Sequence, residues 1–323
     1  MSDVTTTHRS ISCIDDIDTI MNNRNAETEL TQIDHKPLVG ASLRFQSRDT
    51  SLEYLNLGNA VSQAMLSRDK MALGIWLHSH EPNSISGQSL TTGVVWWAPP
   101  GRELHTVMVS NAESIMVTVP CSTVEQLLEK RGLSDLAGEM DEILVKHPPK
   151  STVYTVVPAI RSMWKKICDH PGLLNSDFSY DYAFDFTLNT IIDTISQPKI
   201  EERSFHRCNN NYSSIYRRFE DTVRNIDDQV LTINRICTDM EISRRTLHRA
   251  VEDAVGVSPS DYLRNWRLTR SRKCLKELKC GTVTECAMRW GFCDVGRYAS
   301  YYKELFGELP SVTLSKSRGS DAH

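Results

Sequence analysis

Two groups of residues in this 323-residue chain have types and spacings suited to chemistry. The first is cationic. Arg244, Arg245, His248 and Arg249 fall on the exposed side of a segment whose other side carries Leu247 and Val251, so they present donors along one face of a short helix. Arginine and histidine donate to guanine O6 and N7 in the major groove, and the same cations hold phosphates when they miss the bases. The second group is His78, His80, Glu81 and His105. His78 and His80 alternate along an expected strand and so point to one face, and two histidines with a carboxylate form a facial metal site. The glutamate follows too directly and the later histidine is displaced, so pocket-lining and ordinary structural histidines stand beside the metal reading. No metal or other cofactor is expected.

The cationic face needs a scaffold, and the flanking sequence supplies one. Thr232 and Ser243 stand where N-caps belong, ahead of Ile233, Ile236, Cys237 and Met240 on one helix and Leu247 and Val251 on the next. The segment reads as a helix-turn-helix with its turn at Glu241-Ile242. A second unit repeats the plan, with Val283, Cys286, Ala287 and Trp290 on its first helix, a turn at Gly291, and a second helix led by Asp294. Between them Ser258 caps and Pro259 opens a helix running to Leu275, with Tyr262, Leu263, Trp266 and Leu275 to bury. This is a rigid connector.

The run Gly256-Val257-Ser258-Pro259-Ser260-Asp261-Tyr262-Leu263, the pair Arg267-Leu268, and Gly291-Phe292 followed by Tyr298, Tyr302-Lys303, Phe306-Gly307 and Pro310 resemble the AraC/XylS family of bacterial regulators. The resemblance covers roughly the last third of the chain. It departs from the family pattern at Glu241 (usually glycine), Cys237 and Ser271 (usually alanine), and at Gly296 and Ser300. It implies that Arg245, His248 and Arg249 read bases in the first unit, with a guanine-containing half-site. In the second unit it places Val295, Gly296, Arg297 and Ser300 at the matching positions, with Lys303 beside them. There Arg297 is the strong donor, so that unit is expected to contribute mainly phosphate contact, shape readout and apolar contact to a thymine methyl. The resemblance further implies double-stranded DNA and RNA polymerase as partners, activation of transcription, and a homodimer.

Charge is distributed to match. The whole chain is at net −4 with pI ≈ 6.2, yet residues 210–318 hold 19 Lys and Arg against 14 Asp and Glu, and the remainder 18 against 27. Phosphate binding needs a basic face rather than a basic whole. No apolar run approaches the ~20 residues of a membrane helix, and the polar N-terminus has no targeting signal, so a cytoplasmic protein without membrane partners is expected. Nine cysteines without a Cys-x-x-Cys pair read as reduced, mostly buried thiols.

Upstream, Met71–Leu77, Gly93–Trp97, Leu104–Val109 and Ile115–Val119 have the texture of strands, separated by turns at Ser86-Gly87-Gln88 and Pro99-Pro100-Gly101. Gly93 to His105 resembles the second motif of cupin barrels, with the histidine displaced by one, and the Pro99 to Glu103 turn with His105 resembles regulators of amine catabolism. The expected fold is α+β: an N-terminal cupin-like antiparallel β-barrel with following helices, then an all-α domain of two helix-turn-helix units and a linker helix. The expected boundaries are a tail at 1–37, a sensor and dimerisation domain at 38–197, a linker at 198–214, the DNA-binding domain at 215–318 and a tail at 319–323. Trp76, His78, His80, Trp96, Arg102 and His105 are the candidate lining of an effector pocket. Phe184, Leu188, Ile191, Ile192 and Ile195 share a helical face that either dimerises or packs on its own barrel. The functional expectation is a small-molecule-controlled, DNA-binding regulator that is not an enzyme. A regulator without a ligand, which a filled barrel interior would indicate, and a metal-dependent cupin enzyme are the alternatives.

Overall fold

The computed structural model describes residues 4–11, 28–36, 38, 40–80, 83–138, 143–197, 210–225 and 231–320. Twelve strands among these residues form two sheets: β1 (Thr5–Ile11), β2 (Thr28–Gln32), β3 (Gly40–Ser47), β4 (Thr50–Leu57), β5 (Ala60–Met65), β6 (Lys70–His78), β7 (Ser84–Ile85), β8 (Gln88–Ser89), β9 (Val95–Ala98), β10 (Glu103–Met108), β11 (Ala112–Pro120) and β12 (Leu144–Lys146). One sheet has the order β1-β3-β4-β11-β6-β9-β12, the other β2-β5-β10-β7-β8. The four strands expected from composition are β6, β9, β10 and β11, and both expected turns form. Ser86 and Gly87 take positive φ, 47° and 80°, as a tight hairpin requires, and Gly101 takes 66°.

Residues 1–37, expected as a tail, contain β1 and β2. β1 pairs antiparallel with β3 from Thr5 opposite Gln46 to Ile11 opposite Gly40. Its sequence, Thr-Thr-Thr-His-Arg-Ser-Ile, buries only Ile11. An edge strand this polar carries no hydrophobic alternation to betray it.

The larger sheet has two working faces because side chains alternate along every strand. Leu43, Phe45, Leu52, Leu73, Ile75, Val95, Trp97, Ile115 and Val117 share one core with helices that follow the strands. Those helices are α1 (Cys121–Lys130), α2 (Ser134–Gly138), α3 (Lys150–Asp169) and α4 (Asp177–Ser196), with a 3₁₀ turn at Pro171–Leu174. The α4 residues Phe184, Leu188, Ile191, Ile192 and Ile195 are buried in that core, so of the two expectations for this face it is packing within their own domain that the structure shows.

The C-terminal unit comprises α5 (Asn210–Arg224), α6 (Ile233–Asp239), α7 (Arg244–Val255), α8 (Pro259–Lys276), α9 (Val283–Arg289), α10 (Val295–Phe306) and α11 (Pro310–Ser320). Most of the expected linker, 198–209, lies outside the described residues, and its end, 210–214, is the first turn of α5. The signal was legible in Ile215, Tyr216, Phe219 and Val223, all buried and all on one helical face. Residues 30–36 and 59–61 also group with this unit, and Asn265 donates from α8 to the Ile33 carbonyl at 2.7 Å.

Candidate nucleic-acid interface and effector cavity

The first helix-turn-helix is α6, a turn, and α7. Thr232 and Ser243 cap as expected, accepting from Arg235 N at 3.3 Å and Thr246 N at 3.1 Å. Ile236, Cys237 and Met240 pack with Leu247, Ala250 and Val251, all buried. Glu241, standing where a glycine is usual, adopts φ 56°, a left-handed conformation that costs a side-chain-bearing residue about 1–2 kcal/mol. The Ile242 N–H to Cys237 carbonyl bond at 3.0 Å closes the turn in spite of it. Burial of the apolar side leaves Arg244, Arg245, His248 and Arg249 exposed on α7. His248 Nδ1 lies 3.2 Å from Glu252 Oε2 one turn along the helix.

The second unit is α9, a turn at Gly291 with φ 78°, and α10. Thr282 caps α9, and Asp294 caps α10 by accepting from Arg297 N at 3.0 Å. Arg297, Gly296, Ser300 and Lys303 are exposed and Val295 is half-buried. The Ser300 hydroxyl donates to the Gly296 carbonyl at 3.0 Å, and the Arg297 guanidinium sits 3.7 Å from Asp294. Both polar groups are thus partly engaged within their own helix.

Two braces that sequence reading did not foresee hold these helices. Tyr262, buried in α8, donates to Glu220 Oε1 of α5 at 2.9 Å, and Arg224 lies 3.4 Å from the same oxygen. Burial, reinforced by the Glu220 charge, pushes the Tyr262 hydroxyl well above the usual tyrosine range. At the other end of α8, Arg272 donates to Tyr302 Oη at 3.2 Å and Thr313 Oγ1 at 3.3 Å, and pairs with Glu308 at 2.9 Å. It also lies over the Phe306 ring, 4.9 Å from its centroid.

The N-terminal unit holds a cavity of about 270 Å³ between the two sheets. One cross-strand row of the larger sheet runs Arg44, Glu53, Met116, Gly74, Trp96. Of these Arg44, Glu53, Met116 and Trp96 line the cavity, with Trp76, Ser114 and Leu55 from the next row and Leu104, Thr106 and Met108 from β10. Glu53 is buried, accepts from Ser42 Oγ at 3.2 Å, and has Arg44 at 3.9 Å. Desolvation lowers the Arg44 pKa. The indole nitrogens of Trp76 and Trp96 are buried without a hydrogen-bond acceptor, an arrangement that costs about 1–3 kcal/mol per group until something accepts from them. Gly74 makes the wall possible: a Cβ there would lie 2.6 Å from Trp96 Nε1.

Of the six candidate lining residues, Trp76 and Trp96 are in the wall. Trp97, adjacent to Trp96, alternates into the helix-side core. His105 is buried, but its neighbours Leu104 and Thr106 are the lining residues, so the two-residue period turns it away. His78 follows an irregularity in the β6–β11 register between Glu113 and Ser114. It stacks edge-on against His80 with ring centroids 4.6 Å apart. Arg102 is exposed at the Gly101 turn. Glu81 lies outside the described residues, and among the described residues His78, His80 and His105 do not join a group of three metal-ligating side chains.

Residues 236–316 match a family model described as a helix-turn-helix domain. Over 105 residues the chain is 33% identical to the XylDLEGF operon transcriptional activator of Pseudomonas putida, covering 31% of this chain and 33% of that protein. Its C-terminal domain is similar to those of AraC/XylS-type transcriptional regulators. A probable thc operon regulatory protein of Rhodococcus erythropolis is 36% identical to this AraC/XylS-type domain over 88 residues, 27% of this chain and 26% of the relative. A solved probable AraC family transcriptional regulator from Rhodopseudomonas palustris is 28% identical, covers 32% of this chain and 97% of its own, and has a TM-score of 0.31. The chain spans about a third of the length of the Pseudomonas relative, and the match is confined to the AraC/XylS-type domain. Among the described residues no helix is long and apolar enough to cross a membrane.

Proposed function

We propose that the protein is a sequence-specific DNA-binding regulator of transcription, an activator rather than an enzyme, whose N-terminal cavity receives a small-molecule effector. The exposed Arg244, Arg245, His248 and Arg249 on a capped, braced helix carry the DNA reading. Selection of binding sites from random DNA tests it, since a recovered motif of half-sites about 34 Å apart on one DNA face is expected. Diffuse, salt-sensitive binding without a motif contradicts it. RNA polymerase would be engaged from such a site.

The cavity favours an effector over control by abundance alone, because the interior between the sheets is not filled by its own side chains. Its apolar wall, two unsatisfied indole donors and the Arg44–Glu53 pair suit a molecule with an apolar body and a hydrogen-bond acceptor. Effector binding in the cavity then changes how the recognition helices are presented to DNA. A ligand shifts the equilibrium only by its differential affinity for the two states. Gly74→Val drives the Trp96 ring toward the cavity. The variant is expected to lose the thermal shift given by any effector found in a small-molecule screen while binding DNA as before, and an unchanged shift would place the effector elsewhere.

With Phe184 to Ile195 committed to the domain core, self-association falls to the opposite side of α4. Phe178 and Tyr182 are 83% and 67% exposed at helical spacing, followed by Phe186 at 36%. A homodimer through this stripe is expected to dissociate in sedimentation when Phe178 and Tyr182 are both replaced by lysine; a monomeric parent, or an unaffected dimer, rejects the assignment.

A further inference from the structure

Three cysteines with no part in the DNA interface meet inside the second helix-turn-helix unit. Cys274 is near the end of α8, Cys280 in the loop beyond it, and Cys286 in α9. Their exposures are 4%, 2% and 0%. All three Sγ atoms lie within 4.8 Å of one another, with those of Cys274 and Cys280 2.9 Å apart. Leu268, Leu275, Tyr298 and Tyr302 complete an apolar surround, and Cys286 donates to the Ser271 carbonyl at 3.4 Å.

We propose that Cys274, Cys280 and Cys286 form a three-thiolate site for a trivalent, thiophilic metalloid, arsenite or its antimony counterpart. Three sulfur donors and no nitrogen or oxygen ligand in the group select a soft centre. A closed structural zinc site takes four protein ligands, and the group offers three. Charge then separates the soft candidates. Three thiolates on a monovalent copper ion carry two net negative charges and on zinc one, each heavily penalised in an apolar interior without a paired cation. Arg272, on the same helix as Cys274, is committed to Glu308. A trivalent centre with three thiolates is neutral.

The reaction also suits thiols in this setting. Arsenous acid and three thiols give the tris-thiolate and three water molecules: each As–O bond is replaced by an As–S bond, each thiol proton leaves in water, and no oxidation state changes. A condensation that carries the protons away as water does not need the thiols ionised beforehand. Once formed, the bonds tie the end of α8, the following loop and α9 to one atom, which stabilises the folded unit by mass action.

The test is titration of the reduced full-length protein with sodium arsenite, followed by near-ultraviolet sulfur–arsenic absorbance, mass and thermal midpoint. One equivalent per chain and a raised midpoint are expected. Cys280→Ser is expected to weaken arsenite by at least about 100-fold, beyond what loss of an outer-shell partner costs. The same variant should retain phenylarsine oxide, which needs two thiols and so reports that Cys274 and Cys286 remain in place. A variant with the other six cysteines replaced by alanine should bind as the parent does. Absence of binding by the folded parent, arsenite binding that survives in Cys280→Ser, or zinc bound in preference to arsenite would each overturn the assignment. The readout involves no DNA, so the site stands or falls apart from the regulatory function.

Discussion

Arg249→Ala is expected to weaken binding to the selected operator by roughly 10- to 100-fold, about 1–3 kcal/mol, and to relax preference at a single base pair. Arg249 is exposed on α7 beside Arg245 and His248, and the packing of Leu247, Ala250 and Val251 holds that face outward. Its removal leaves the helix caps untouched, so the effect belongs to the contact rather than to the fold. Lys303→Ala supplies the contrast: a uniform loss over all sequences, with the salt slope reduced by about 1. A uniform loss for Arg249→Ala as well would mean that this arginine holds phosphate and that the base is read elsewhere. Measuring both variants against a panel of single-base operator changes decides the matter.

Arg272→Ala is expected to destabilise the second helix-turn-helix by about 1–3 kcal/mol, because it removes the buried guanidinium that bonds Tyr302, Thr313 and half-buried Glu308 and empties space beneath Phe306 and Tyr302. Urea unfolding reads the loss, and DNA affinity should fall with it. Arg272→Met keeps the aliphatic stem and should recover part of the stability. The Glu308 carboxyl adds a pH signature. Its desolvation, which alone would raise the pKa, is outweighed by the bonds from Lys316 and Thr313 and by Arg272, so the group sits below the ordinary carboxylate range. A carboxylate depressed in the folded state contributes stability above its unfolded pKa and loses it as pH falls through the folded one. Acidification is therefore expected to weaken the parent, and Glu308→Gln to flatten that acid limb. An Arg272→Ala protein as stable as the parent would show the brace to be ornamental.

The cavity and the brace differ in how much of each could be read beforehand. Trp76 and Trp96 fall on strands legible in the sequence, where they read as either core or wall. That Gly74 opens the space Trp96 occupies follows from a register joining β6 to β9, and no local pattern encodes which strands become neighbours. His78, His80 and His105 looked like a set because they share a residue type, but only His78 and His80 meet, and alternation turns His105 away from the cavity.

The sequence by itself determined both helix-turn-helix units, their caps, the connecting helix and the outward face of α7. Those features rest on short-range rules: a cap needs its acceptor three residues away, and an amphipathic helix needs its apolar period, all within one segment. It also determined the helical spacing of α4, while leaving open what that face would pack against. The tertiary structure decided the rest. It placed β1 at the edge of a sheet, gave α4's apolar face to its own domain, built the Glu220–Tyr262 and Arg272–Glu308 braces across helices, and gathered Cys274, Cys280 and Cys286. Each of these joins residues through chain reversals and packing, where many distant pairings satisfy the same local pattern and only the simultaneous burial of all of them selects one.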